Sequence, residues 1–366
     1  MNKKNVLCLA LFLIVSIIVF SQAGEVKPAF GLGKFGLIYA DAYAGLGGFE
    51  IAPGAESKAL LYLGGGYFFD AYYRDEAGAR LRDPDFAFPG AAFNYWGAEG
   101  ALGLDLGLAY SEKLEKNWLF GQVYLKSEFH SIVDDPANPS IIDRTSLPDK
   151  DGLWENSLFL GLTMDRICRD RLTKVSSGIK AEASAEWAPG FALNQILGNA
   201  DYFRFNGKLT ALLPLIQNET FSIYTGDRIV FDLLTGPEIS SYAQRRTGGF
   251  FKAKGMGGDL RGLKDGQYDA NIKLINNIDF RMTFPSLLGL GEIVVPELFL
   301  FFDMGLMDNL DNQLCSFADG LYTCGGGIFV DLYIIGMNFD VGYYISYSIP
   351  ENHWNFFNLA LGSHQF

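Results

Sequence analysis

Leu102-Gly103-Leu104-Asp105-Leu106-Gly107-Leu108-Ala109-Tyr110 carries a large apolar side chain at every even position and glycine, alanine or aspartate at every odd one. Period two belongs to an extended strand, whose successive side chains point to opposite faces. The run matches the roughly 9 to 11 residues that a tilted strand needs to cross a bilayer. The same split recurs elsewhere in the chain. Val175, Ile179, Ala181, Ala183, Ala185 and Trp187 oppose Ser176, Lys180, Glu182, Ser184 and Glu186. Ile272, Leu274, Ile278, Phe280, Met282 and Phe284 oppose Lys273, Asn277, Asp279, Arg281 and Thr283. Met337, Phe339, Val341, Tyr343, Ile345 and Tyr347 oppose Asn338, Asp340, Ser346 and Ser348.

A soluble sandwich also alternates, but its strands average about 5 to 6 residues and its apolar face is a packed core. The connections give a second criterion, because outer-membrane barrels pair short periplasmic turns with long extracellular loops. Short links at 52–57, 112–116, 169–173, 216–219 and 334–336 interleave with long ones at 74–94, 131–152, 189–200, 235–270 and 307–320, and the intermediate link 285–294 joins the periplasmic set. Closing this parity requires residues 29–52 to cross twice, with Asp41 at a tight outer turn. The expected fold is all-β: a transmembrane antiparallel barrel of about fourteen strands, with sixteen as the alternative count.

Composition agrees. Of 366 residues, 49% are hydrophobic and 19% charged, which excludes disorder, and 43 glycines, 31 phenylalanines and 18 tyrosines favour strands over helices. Lys3 and Lys4, an apolar run from Val6 to Phe20 and the small-residue site Ser21-Gln22-Ala23 read as a secretory signal peptide over 1–23, with an unlipidated barrel domain over 24–366. Removing that leader takes away two lysines and no acid, lowering the formal charge of −13 by two, to −15. Nucleic acid is a poor partner for such a surface. Past Ala23, apolar stretches such as Ile293 to Phe302 are broken by Pro296 and Glu297, so no helix there spans a bilayer.

Export permits a disulfide between Cys315 and Cys324, which flank one loop, and leaves Cys168 free; all three serve equally well as small buried residues. His130, His353 and His364 are scattered, and no zinc-protease, phosphate-loop or nucleophile-elbow motif occurs, so no enzyme, metal or cofactor is expected. Tyr95, Trp96, Trp118, Trp154, Trp187 and Trp354 fall near strand ends, where an interfacial girdle places amphipathic rings.

One ordered set of motifs goes further. Gly257-Gly258-Asp259-Leu260-Arg261-Gly262-Leu263 lies in the longest loop, followed by Asn277-Ile278-Asp279-Phe280-Arg281 and Phe301-Phe302-Asp303-Met304-Gly305. This resembles the bacterial surface antigen superfamily, the BamA and TamA type outer-membrane assembly factors and two-partner secretion translocators. Their late extracellular loop carries GG...VRG[FY], and their following strands read N-x-E-x-R and F-x-D-x-G. The resemblance covers about residues 243–366. Leu260, Leu263 and Asp279 depart from the family's valine, aromatic and glutamate, and no POTRA domain precedes the first strand, so the chain looks like a barrel-only member.

The resemblance implies that the loop folds into the lumen and that Arg261 is held there by an acidic residue of a nearby strand. Asp303 is the first choice, and Asp279, Asp331 and Asp340 share the lumenal side as reserves. Bidentate recognition of a carboxylate suits arginine and not lysine. The chain ends on Phe366, with Phe357, Leu359 and Leu361 alternating before it, as in an outer-membrane assembly signal; their phase requires a bulge near Gly362. The implied function is assistance to insertion or export of polypeptides or lipids through a weak seam between residues 29–52 and 353–366. Outer-membrane lipid, client polypeptides and a periplasmic accessory protein or a second copy are the implied partners. A passive diffusion channel and a surface adhesin or antigen are the alternatives.

Overall fold

In the computed structural model the described residues are 27–35, 39–72, 92–133, 152–170, 172–249, 259–263, 268–285, 287, 293–308, 320–334, 337–349 and 352–362. The leader 1–23, Gly257, Gly258, Cys315 and Phe366 lie outside them. Alternation produces fourteen strands in one antiparallel path, each paired with its sequence neighbours. They are β1 (Lys27–Phe35), β2 (Tyr39–Ala52), β3 (Ala55–Tyr72), β4 (Ala92–Ser111), β5 (Lys116–Val133), β6 (Leu153–Asp165) and β7 (Ser176–Ala188). Then come β8 (Asp201–Ile216), β9 (Ser222–Glu238), β10 (Ile272–Thr283), β11 (Val294–Asp308), β12 (Leu321–Ile334), β13 (Met337–Ser348) and β14 (His353–Gly362). One short helix, α1 (Ser241–Arg245), sits in the loop between β9 and β10.

Register turns the alternation into two continuous surfaces. Leu61 pairs with Leu102, Leu102 with Leu125, Leu125 with Leu158, Leu158 with Trp187 and Trp187 with Phe203. This apolar row runs around six neighbouring strands on the outside. Along β11, Leu298, Leu300 and Phe302 are exposed while Glu297, Phe299, Phe301 and Asp303 are buried. A belt of exposed leucine and phenylalanine outside a charged interior is the inverse of a soluble core, and hydrocarbon is the solvent that suits it. At its outer rim Trp96 lies 4.9 Å from Phe129, Trp187 stacks on Phe203 at 5.7 Å and Trp354 on Phe356 at 5.9 Å, centroid to centroid. Tyr95 does not join this girdle; it has the opposite parity and is buried in the bore against Tyr242.

Four expectations are corrected. Asp41 is not at a turn but within β2, opposite Gly64, and residues 36–38, which join β1 to β2, lie outside the described residues. Val175 is not on the lipid face: the hairpin bends at Gly178, where φ is +120°, and Val175 is buried in the turn before β7. The irregularity near the C-terminus falls at Phe356 and Phe357, both opposite Ile345, whereas Gly362 is regularly paired with Asp340. Cys324 is a free thiol inside β12, with the same parity as the exposed Ile328, so strand geometry turns it outward and no bridge to Cys315 forms.

Candidate functional site

The site is built on the inner face of β10 to β13. Asp279 pairs with Phe301, Phe301 with Gly325 and Gly325 with Ser346, giving one inward row across four strands. Two residues along each strand, Asn277, Asp303, Thr323 and Ser348 form a parallel row. Between Phe301 and Ser346 the wall carries no side chain at Gly325, and the Phe301 ring lies over it, 2.7 Å from where a Cβ would stand.

The loop segment Asp259–Leu263 packs against this part of the wall. The Arg261 backbone N–H donates to Asp303 Oδ2 at 2.8 Å, its Nε to the same oxygen at 2.9 Å, and its Nη2 to Asp303 Oδ1 at 2.5 Å. Its Nη1 approaches Asp279 Oδ1 at 2.5 Å, a charge contact off the hydrogen-bonding line, and the guanidinium lies 4.1 Å from the Phe301 ring centre. One fork thus meets two carboxylates and an aromatic face, a combination that an ammonium cannot reproduce. Gly262 has φ +97°, and a Cβ there would come within 2.3 Å of Ser346 Oγ. Leu260 and Leu263 close a buried cluster with Val230, Tyr268, Ala270, Ile275, Met307 and Leu321. Tyr268 brings a ring to the cluster in which leucine holds the motif's aromatic position.

The neighbouring charges complete the constellation. Arg281 donates from Nε and Nη2 to Asp279 Oδ2 at 2.8 and 2.7 Å and from Nη1 to Glu297 at 3.1 Å. Arg228 Nε donates to Asn277 Oδ1 at 2.9 Å, and Asn277 Nδ2 donates to the Asp259 carbonyl at 2.8 Å. Gly305 takes part only through backbone pairing with Ile275 and Leu321. Asp331 is buried on the lumenal side but bonds Arg169, not Arg261. Asp340 is described by its backbone, opposite Asp331 and Gly362, as are Phe357, Leu359 and Leu361 within β14.

A second anchor of the same loop escaped the sequence reading. Glu99 pairs with Glu128 and Glu128 with Glu155 across β4, β5 and β6, placing like charges opposite one another on the inner face. Such a row is destabilising unless cations are brought to it. Arg246, next after α1, supplies one: its Nη1 and Nη2 donate to Glu99 at 3.0 and 3.3 Å, and Nη1 lies 3.7 Å from Glu128. Lys126 supplies another, at 3.0 Å from both Glu128 and Glu186. The Ser240 hydroxyl accepts from the Ala243 N–H, capping α1, and donates to Glu155 at 3.1 Å. Tyr242 stacks on His130 at 4.4 Å, so His130 is lumen lining that packs against the loop. The chain then runs on to Gly248, whose N–H donates to Asp232 at 2.7 Å, beside Lys273 at 3.0 Å from that carboxylate. The clue in the sequence was the inward parity shared by Glu99, Glu128 and Glu155.

Wall and loop together define a class: a transmembrane barrel of the outer-membrane type whose long outer loop returns into the bore and is pinned there by arginine. Among solved structures, BamA from Haemophilus ducreyi lacking POTRA domains 1–3 matches 92% of this chain with a TM-score of 0.52 and 11% sequence identity. CdiB from Acinetobacter baumannii matches 86% of the chain with a TM-score of 0.41 and 11% identity. The chain spans 64% of that BamA chain and 49% of that CdiB chain. No protein-family model and no curated protein matches the sequence. At this identity the likeness is one of fold, and the fold is that of the BamA-type barrel.

Proposed function

We propose that this chain is an outer-membrane barrel of the assembly-factor and translocator superfamily, assisting insertion or export of polypeptides or lipids. The observation that carries the reading is Arg261, brought by the loop into the bore and bound by Asp303 and Asp279. The resemblance implies the same pairing, with Asp303 as the partner of Arg261 and Asp279 in reserve. The ends of the wall support the same reading. β1 and β14 come within 8 Å of one another. Opening of the seam between them offers strand edges that a client segment can pair with.

In this reading the pinned loop keeps the bore occupied while the seam handles the client, and outer-membrane lipid surrounds the rest of the wall. A periplasmic accessory protein, or a second copy, presents client polypeptides. The loop inside the bore weighs against a passive diffusion channel. Depletion of the protein in its native envelope, with a census of the other outer-membrane proteins and lipids, is the test. A selective fall in some of them, reversed by the parent chain and not by Arg261→Ala, is expected; unchanged levels contradict the proposal.

A further inference from the structure

The link between β6 and β7 was expected to be a plain short turn, yet it packs into the bore. Beyond Asp165 the hairpin continues through the pairs Cys168–Ser177 and Arg169–Ser176, with Arg166 N–H donating to the Ile179 carbonyl at 2.9 Å. Gly178 bends it. Its φ of +120° is a left-handed conformation, and a Cβ there would come within 2.2 Å of the Arg166 carbonyl oxygen. The register is unbroken through this point, from Asp165–Lys180 to Arg169–Ser176, so the hairpin bends at the glycine without an inserted residue.

The tip lands on the far side of the periplasmic mouth. Arg169 Nη2 bonds Asp331 near the lower end of β12, five strands on from β7 in the fourteen-strand path. The Thr173 carbonyl accepts from Thr283 Oγ1 at 2.8 Å at the end of β10, and Thr173 Oγ1 accepts from Gln217 Nε2 at 3.2 Å in the β8–β9 turn. Thr173, Lys174 and Val175 are buried. The base is held as well: Lys116 lies 2.8 Å from Asp165 and donates to the Ile167 carbonyl at 2.7 Å. A surface turn with no task would keep these groups in water. This one reaches three other elements of the wall and buries its own backbone doing so.

We propose that the β6–β7 hairpin tip is a latch that closes the periplasmic mouth of the bore, held by the ion pair of Arg169 with Asp331. The bore is then shut from below by the latch and from above by the pinned loop. The proposal concerns access to the bore and does not depend on how clients are handled.

The test uses the full-length protein in detergent, where the loop covers the opposite end. Gln122→Cys, on the inner face of β5 beside Asp105, reports access to a charged thiol reagent in a background carrying Cys168→Ser, Cys315→Ser and Cys324→Ser. Arg169→Glu or Asp331→Arg is expected to raise the modification rate several-fold, and the double exchange to return it toward the parent rate. Singles that react no faster than the parent, or a double exchange that reacts as fast as the singles, overturn the latch. Heat-modifiable gel mobility verifies folding, and if a charge reversal fails to fold, Arg169→Gln carries the same expectation.

Discussion

Arg261 and Asp303, 42 residues apart in sequence, share three hydrogen bonds, one from the arginine backbone and two from its side chain. The aspartate is fully buried and the arginine side chain nearly so. Removing one member of a buried pair strands the other, at about 3–5 kcal/mol. Arg261→Ala is expected to fall in that range in urea unfolding of the lipid-reconstituted barrel. Arg261→Lys keeps the charge but loses the fork and is expected to cost about 1–3 kcal/mol. Arg261→Ala combined with Asp303→Asn should cost less than the sum of the single changes, because the stranded charge is gone. Strict additivity would show that the pair is not coupled.

The second anchor makes a different prediction, because it concerns the loop more than the wall. Without Arg246, Glu99 and Glu128 face each other with Lys126 3.0 Å from Glu128. Arg246→Ala is therefore expected to release α1 from the bore and to raise hydrogen exchange across 240–249, leaving the β4–β5 ladder protected. Adding Glu99→Gln should restore part of the protection by removing one of the opposed charges. Exchange at 240–249 that does not change in Arg246→Ala would mean that Tyr242 and Ser240 hold the helix unaided.

The two anchors differ in how far they could be read from the residues. Arg261 stands in an ordered motif, and Asp303 has the inward parity of a clean alternation, so both partners were legible. Arg246 follows Arg245 in a loop without periodicity, and only a folded loop decides which arginine reaches the acids. The acids themselves were readable, since Glu99, Glu128 and Glu155 all have inward parity; register then aligned them, and register is a pairing of strands that a single strand does not reveal. The latch was hidden for a related reason. A glycine inside a strand hints at a bend, but its direction, and hence the contact of Arg169 with Asp331, arises from the curvature of the wall. Strand number was legible to within two, because most crossings carry their own period-two signal; the first hairpin lacks a clear interruption, and its turn was expected at Asp41, which lies inside β2.

Gly262 is open to a test of conformation independent of charge. Its φ of +97° is strained for any L side chain, and an added Cβ would meet Ser346 Oγ at 2.3 Å. Gly262→Ala is expected to destabilise the barrel by about 1–3 kcal/mol and to loosen Arg261 from its carboxylates. Ser346→Gly in the same chain clears the clash but leaves the backbone strain, so partial recovery is expected. Full recovery would assign the whole effect to crowding, and no recovery would assign it to φ.

Acid should loosen the latch through Asp170, which lies in the turn outside the membrane-spanning strands. Its Oδ1 accepts from the Thr173 N–H at 2.8 Å, the Leu172 N–H at 3.0 Å and the Thr173 hydroxyl at 2.9 Å. These bonds, the one from the Thr173 backbone foremost, hold the carboxyl below the ordinary aspartate range against a smaller opposing effect of burial. A carboxylate depressed in the folded state stabilises it fully above the unfolded value of about 4, and that contribution is lost as pH falls through the folded value. The difference in urea midpoint between the parent and Asp170→Ala should therefore be constant above about pH 5 and shrink progressively below about pH 4. The stabilised unit is the turn itself, so the same pH dependence should appear in exchange of the Leu172 and Thr173 amides and be absent from the Arg261 segment. A gap between parent and variant that persisted unchanged to about pH 2 would show that the oxygen, not its charge, organises the turn.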